Sequence, residues 1–137
     1  MSTLPQPFIA PSVASPKGHY SAAVSHNGLL YVSGQLGVRA DDSHTFDLPF
    51  DDQARQAMDN VLAILRDAGL GAEHLVRVTA YIAGVGNWPA FNAVYAEMMG
   101  DVRPARTVVP VPELHYGYLV EIDAIAALPD GWNGAAD

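Results

Sequence analysis

Within residues 52–68 the apolar side chains Ala54, Ala57, Met58, Val61, Leu62, Leu65 and Ala68 recur at helical spacing and form one stripe. Asp51 and Asp52 suit the positive end of that helix, and Gly69 suits its stop. A striped helix needs a second layer to cover it, and the neighbouring segments identify the layer as a sheet. Leu75 to Ala83 alternates, with Val76, Val78, Ala80 and Ile82 on one face and Arg77, Thr79 and Tyr81 on the other. Residues 20–24 and 29–36 read as two strands joined through His26-Asn27-Gly28, because Asn and Gly both tolerate the positive φ of a tight hairpin turn. A second helix starts after Asn87, accepts Pro89 in its first turn and stops before Gly100. Its Trp88, Phe91, Tyr95 and Met98 share a face and read as core rather than as a cofactor box. Strands over residues 106–111 and 118–128 close the chain.

The order is therefore β-β-α-β-α-β-β, without repeat or linker, and 137 residues make one domain. Residues 1–17 hold four prolines and read as an extended arm. Residues 37–50 read as a solvated, mobile polar loop, and 129–137 as a frayed tail. Two helices over one sheet give a two-layer α+β sandwich. They leave the other sheet face bare, although several strands carry apolar or aromatic residues on both faces. Self-association is the simplest cover.

Two charges stand inside strand-like runs: Arg106 in Pro104-Ala105-Arg106-Thr107-Val108-Val109, and Glu121 in Val120-Glu121-Ile122-Asp123-Ala124-Ile125-Ala126. A charge in a buried strand is costly unless it is paired, hydrogen-bonded or used. Arg offers a planar fork that engages both oxygens of a carboxylate, and a nearby Glu can steer a water or a proton. The residues alone leave two readings open: a structural salt bridge between Arg106 and Glu121, or a site for acid/base or hydrolytic chemistry on a small carboxylate-bearing substrate.

These two segments resemble the closing signature of the RidA (YjgF) family of reactive-intermediate deaminases. Three more resemble it in the same order: Gly18-His19-Tyr20-Ser21-Ala22-Ala23-Val24, Val32-Ser33-Gly34-Gln35 and Phe91-Asn92-Ala93-Val94-Tyr95. The resemblance covers roughly residues 16–128. It implies a chorismate-mutase-like fold, a homotrimer with sites in the clefts between subunits, and an enzyme that hydrolyses 2-imino acids to 2-oxo acids and ammonia without a cofactor. The substrate would be a small imine or enamine, such as 2-iminopropanoate derived from 2-aminoacrylate. Arg106 matches the clamp on the substrate carboxylate, and Glu121 the residue that orients the attacking water. Tyr20 and Ser33 match positions whose hydroxyls contact ligand, and Asn92 a position lining the neighbouring cleft; Gly34 reads as either a close backbone approach to a ligand or a bulge. Val108 stands where many relatives carry Cys, so that only its backbone can serve there. His19 and His115 stand where proline is common, which puts substrate preference in question. A pathway-specific deaminase of a longer unsaturated amino acid and a non-catalytic, metabolite-binding or chaperone-like trimer are the alternatives; ribonuclease activity is attributed to some relatives.

A formal net charge of −8, with seven scattered Lys and Arg, makes nucleic acid a poor first partner. With no Cys there is no disulfide or thiol nucleophile. His19, His26, His44, His74 and His115 have no metal-ligand spacing, and there is no phosphate-loop glycine pattern or G-x-S-x-G elbow. With neither a signal peptide nor a membrane-length apolar run, a soluble cytoplasmic protein is the default expectation.

Overall fold

The computed structural model describes residues 4–134. Six strands form one sheet: β1 (Gln6–Phe8), β2 (Ala23–His26), β3 (Leu29–Gln35), β4 (Leu75–Ala83), β5 (Ala105–Val111) and β6 (Val120–Ala127), in the spatial order β1-β2-β3-β6-β4-β5. Only β4 and β5 run parallel, linked by a crossover that carries helix α2 (Trp88–Met99). Helix α1 (Phe50–Asp67) fills the β3–β4 connection, and both helices pack on one sheet face. The result is the expected α+β two-layer sandwich. No helix of the described residues is long and apolar enough to cross a membrane.

The core lies between helices and sheet. Ala54, Ala57, Met58, Val61, Ile64 and Leu65 from α1 meet Leu30, Val32, Val78, Ala80, Ile82, Val120, Ile122, Ala124 and Ala126. The strand residues alternate as a half-covered sheet demands, with β6 burying every second side chain from Val120 to Ala126. Two polar side chains share this interior. Gln53 is fully buried; its Nε2 donates to Phe46 O (3.2 Å) and Leu48 O (3.0 Å), and its Oε1 accepts from Leu119 N–H (2.9 Å). Asn60 Nδ2 donates to Leu36 O (3.0 Å) and Val38 O (2.8 Å). The segment expected to be a mobile loop is thus fastened to α1, its last residue Phe50 opens the helix, and its Thr45 is buried.

Other departures have local causes. Val76 is exposed rather than inward: β4 holds one extra residue between Leu75, opposite Ala126, and Arg77, opposite Ile125. That bulge turns both Leu75 and Val78 inward. The β2–β3 hairpin turns at Asn27 (φ 50°) and Gly28 (φ 78°) as the sequence suggests, but β2 starts at Ala23, so Tyr20 stands in the preceding loop. The expected arm contains edge strand β1 and buries Phe8, Ala10 and Val13. Of the expected frayed tail, Trp132 lies 6.1 Å from the Phe8 ring and its Nε1 donates to Ala68 O at 2.8 Å; residues 1–3 and 135–137 lie outside the described residues. Tyr118 precedes β6, wholly buried.

Candidate active site

Strand pairing fixes which way each candidate points. Arg106 is opposite Val78 on β4, and Glu121 is opposite Tyr81. Val78 and Tyr81 are an odd number of residues apart, so the two charges leave the sheet on opposite faces. The structural salt bridge between Arg106 and Glu121 within one chain is therefore excluded by geometry.

Glu121 projects from the face that the helices leave bare, into a cleft of about 450 Å³. Tyr20, Ser33, Gly34, His115 and Tyr116 line the same cleft, as do Lys17, Gln35 and Leu36. Three of the ligand-lining candidates, Tyr20, Ser33 and Gly34, thus surround Glu121. The carboxylate is half-buried, and among the described residues no group donates a hydrogen bond to it. Burial lifts its pKa above the ordinary carboxylate value, the negative charge of Asp123 adds to the lift, and His115 opposes it. Such a group is a better base than a solvated Glu. Asp123 itself accepts a hydrogen bond from Tyr81 Oη at 3.0 Å.

Gly34 sits in the irregular stretch between Val32 and Gln35 of β3, against the Glu121 carboxylate. A Cβ at position 34 would come within 2.6 Å of Glu121 Oε2. The missing side chain is what lets the carboxylate lie over β3. Ser33 Oγ donates to Ser21 O at 2.6 Å, which orients its lone pairs for a ligand donor.

Arg106 emerges on the helix-covered side at the sheet edge formed by β5. Its guanidinium carbon lies 5.1 Å from the Tyr95 ring centroid and 5.7 Å from that of Phe91, so two rings of α2 support the fork from behind. The side chain remains exposed, with no salt bridge to a described carboxylate. The Tyr95 hydroxyl is buried without a hydrogen-bond partner among the described residues, and burial raises its pKa while Arg106 pulls it down. Asn92 is exposed on α2 beside Phe91, and Val108 is two residues along β5 from Arg106 on the same face. The candidates fall into two groups: Tyr20, Ser33, Gly34 and Glu121 at one cleft, and Arg106, Asn92 and Val108 at another surface.

An aromatic cluster behind the cleft was not legible as a unit. Tyr118 Oη accepts from Thr45 N–H (3.2 Å) and is 2.8 Å from His44 Nδ1, and the His44 ring packs on Phe46 at 5.0 Å and Tyr116 at 4.9 Å. Of the two nearby tyrosines only Tyr116 reaches the cleft, with Tyr118 bracing it from the interior. Among the described residues no group of three or more His, Asp or Glu gathers as a metal site.

The comparisons place this architecture. Residues 11–128 match the family model described as Endoribonuclease L-PSP. A RutC family protein of Aquifex aeolicus is 39% identical over 118 residues, covering 85% of this chain and 94% of its own length. A protein of Dermatophagoides farinae named 2-iminobutanoate/2-iminopropanoate deaminase is 33% identical over 118 residues, covering 86% and 92%. The crystal structure of Escherichia coli TdcF with bound serine superposes with a TM-score of 0.84 at 26% identity, covering 90% of this chain and 99% of that one. With the family model spanning most of the sandwich, and relatives aligned along nearly their whole length, the chain belongs to the RidA (YjgF) family.

Proposed function

We propose that the protein is an imine deaminase that hydrolyses 2-imino acids, such as the 2-iminopropanoate formed from 2-aminoacrylate, to 2-oxo acids and ammonia. The working unit in this reading is a homotrimer. Each site joins the Glu121 cleft of one subunit to Arg106, Asn92 and the Val108 backbone of its neighbour. One observation carries the reading: a half-buried carboxylate without a hydrogen-bond donor among the described residues, its basicity raised, faces a cleft large enough for a small acid. The deaminase name of the Dermatophagoides relative supports the chemistry, and serine bound to TdcF supports a small carboxylate-bearing ligand.

The reaction needs little machinery because a protonated imine is already electrophilic. Arg106 holds the substrate carboxylate with two parallel hydrogen bonds and so fixes the C=N carbon over the cleft. Glu121 accepts a hydrogen bond from a water, aims its lone pair at that carbon and takes its proton as the C–O bond forms. Tyr20 and Ser33 supply hydroxyl contacts. Returning that proton to nitrogen makes the amine a leaving group; as the C–N bond breaks, the hydroxyl gives its own proton to Glu121 and becomes the C=O, so ammonia and the 2-oxo acid form with water the only other reactant. Ribonuclease activity fits poorly: net charge is −8, and the cleft's Lys17 is already paired to Asp42 at 2.9 Å. The test couples the purified protein to an enzyme that generates 2-aminoacrylate and follows pyruvate. Pyruvate forming faster in proportion to added protein is the expected result; a rate equal to spontaneous hydrolysis would reject the proposal.

A further inference from the structure

The cleft lining mixes two chemistries. Ser33, Gln35 and Glu121 are among its polar residues, while Ala14, Pro16, Ala22, Leu36 and Val38 are apolar. A methyl side chain, such as that of 2-iminopropanoate, fills little of the cleft of about 450 Å³ that one subunit contributes.

Tyr116 stands at the rim with unusual backbone geometry. Its φ of 61° and ψ of 9° lie in the left-handed region, and Gly117 follows at φ 78°. A bulky residue there is strained, and persists only where its surroundings hold it. They do so here through ring contacts: His115 at 3.7 Å, His44 at 4.9 Å and, edge-on, Tyr118 at 6.4 Å. Tyr118 is anchored in turn by its hydrogen bonds to the 44–45 segment. A chain of braces thus runs from the interior to a ring that remains 48% exposed beside the cleft. Tyr20, 55% exposed, lines the same cleft. Exposed aromatic rings around an apolar recess form a receptor for another flat ring.

Resting on the deaminase reading above, we infer that the preferred substrates are 2-imino acids whose side chain ends in an aromatic ring, held by Tyr116, His115 and Tyr20, with Tyr116 the main specificity-determining residue. The aromatic and apolar lining residues take the ring while the C=N group stays over Glu121.

The experiment generates 2-imino-3-phenylpropanoate and 2-iminopropanoate in situ, from phenylalanine and alanine with an amino-acid oxidase. It measures the acceleration of each hydrolysis by the protein. Burying a phenyl ring should make kcat/KM for the phenyl imine roughly tenfold or more higher than for the methyl imine. Tyr116→Gly, which suits the left-handed backbone and so removes the ring without adding strain, should cut that ratio about fivefold or more. Tyr116→Phe should keep it. A wild-type ratio of one or below, or a ratio untouched by Tyr116→Gly, would overturn the inference while leaving the deaminase reading intact. Acceleration of neither imine would overturn both.

Discussion

Gly34→Ala is the substitution in which structure and chemistry part most cleanly. The new methyl group would lie 2.6 Å from Glu121 Oε2 and 3.1 Å from its Cδ, where ordinary contact begins near 3.4 Å. The carboxylate must therefore retreat by about 0.8 Å, the difference between 3.4 and 2.6 Å. The atoms in the way are the tip of a flexible side chain facing an open cleft, so the fold can absorb the change and stability should fall by less than about 1 kcal/mol. The reaction cannot absorb it as easily. A displacement near 1 Å in a positioning group costs on the order of 100-fold in rate, equivalent to about 2.7 kcal/mol of barrier. The assay pairs kcat on 2-iminopropanoate with a thermal melt. Adding Gly34→Ala to Glu121→Gln should cost almost nothing further, because both act through one carboxylate. Near-normal turnover by Gly34→Ala, or full additivity in the double variant, would refute the reasoning.

Other outcomes follow from single contacts. The pKa of Glu121 is raised, so kcat/KM should fall as pH drops through that raised value, and Glu121→Gln should abolish this acidic limb. His115→Gln should move the limb upward, since His115 opposes the shift. The folded state holds the Glu121 proton more tightly than the unfolded state does, so this group's contribution to stability declines as pH rises through its folded pKa. Glu121→Gln should accordingly melt no lower than wild type at pH 7. Gln53→Leu leaves two carbonyls and one N–H without partners, and should cost on the order of 3 kcal/mol in a denaturant titration. Arg106→Ala should lower the rate roughly thirty- to thousandfold, and Arg106→Lys should rescue little because a point charge cannot replace the fork; substantial rescue by Lys would argue against bidentate binding.

Much of the fold was legible because periodicity is local. The stripe of α1, the bounds of β4 and the turn at Asn27-Gly28 all follow from neighbouring residues, and the structure reproduces them. What failed depended on partners distant in sequence. Val76 lost its place to a bulge opposite Ala126 and Ile125, which no strand pattern reports on its own. Gln53 and Asn60 are polar residues whose burial depends on the 36–48 segment, which takes their hydrogen bonds, and helical periodicity says nothing of that segment. Tyr20, Ser33, Gly34 and Glu121 come together across three segments, and the family resemblance, not any spacing, grouped them. The opposite orientation of Arg106 and Glu121 follows from register with β4, and register is set between strands rather than within them.

In the proposed deaminase that opposition means two subunits assemble each site, and subunit complementation tests this. Arg106→Ala and Glu121→Gln chains, each carrying a different affinity tag, are co-expressed and purified through both tags so that every trimer is mixed. Around a cyclic trimer of two kinds of chain, one interface in three joins an intact Arg106 to an intact Glu121, whichever kind is in excess. The mixed trimers should show about one third of wild-type turnover, although each variant alone is nearly inactive. Mixed trimers as inactive as their parents would contradict it, because a site housed within one chain has no intact copy to restore.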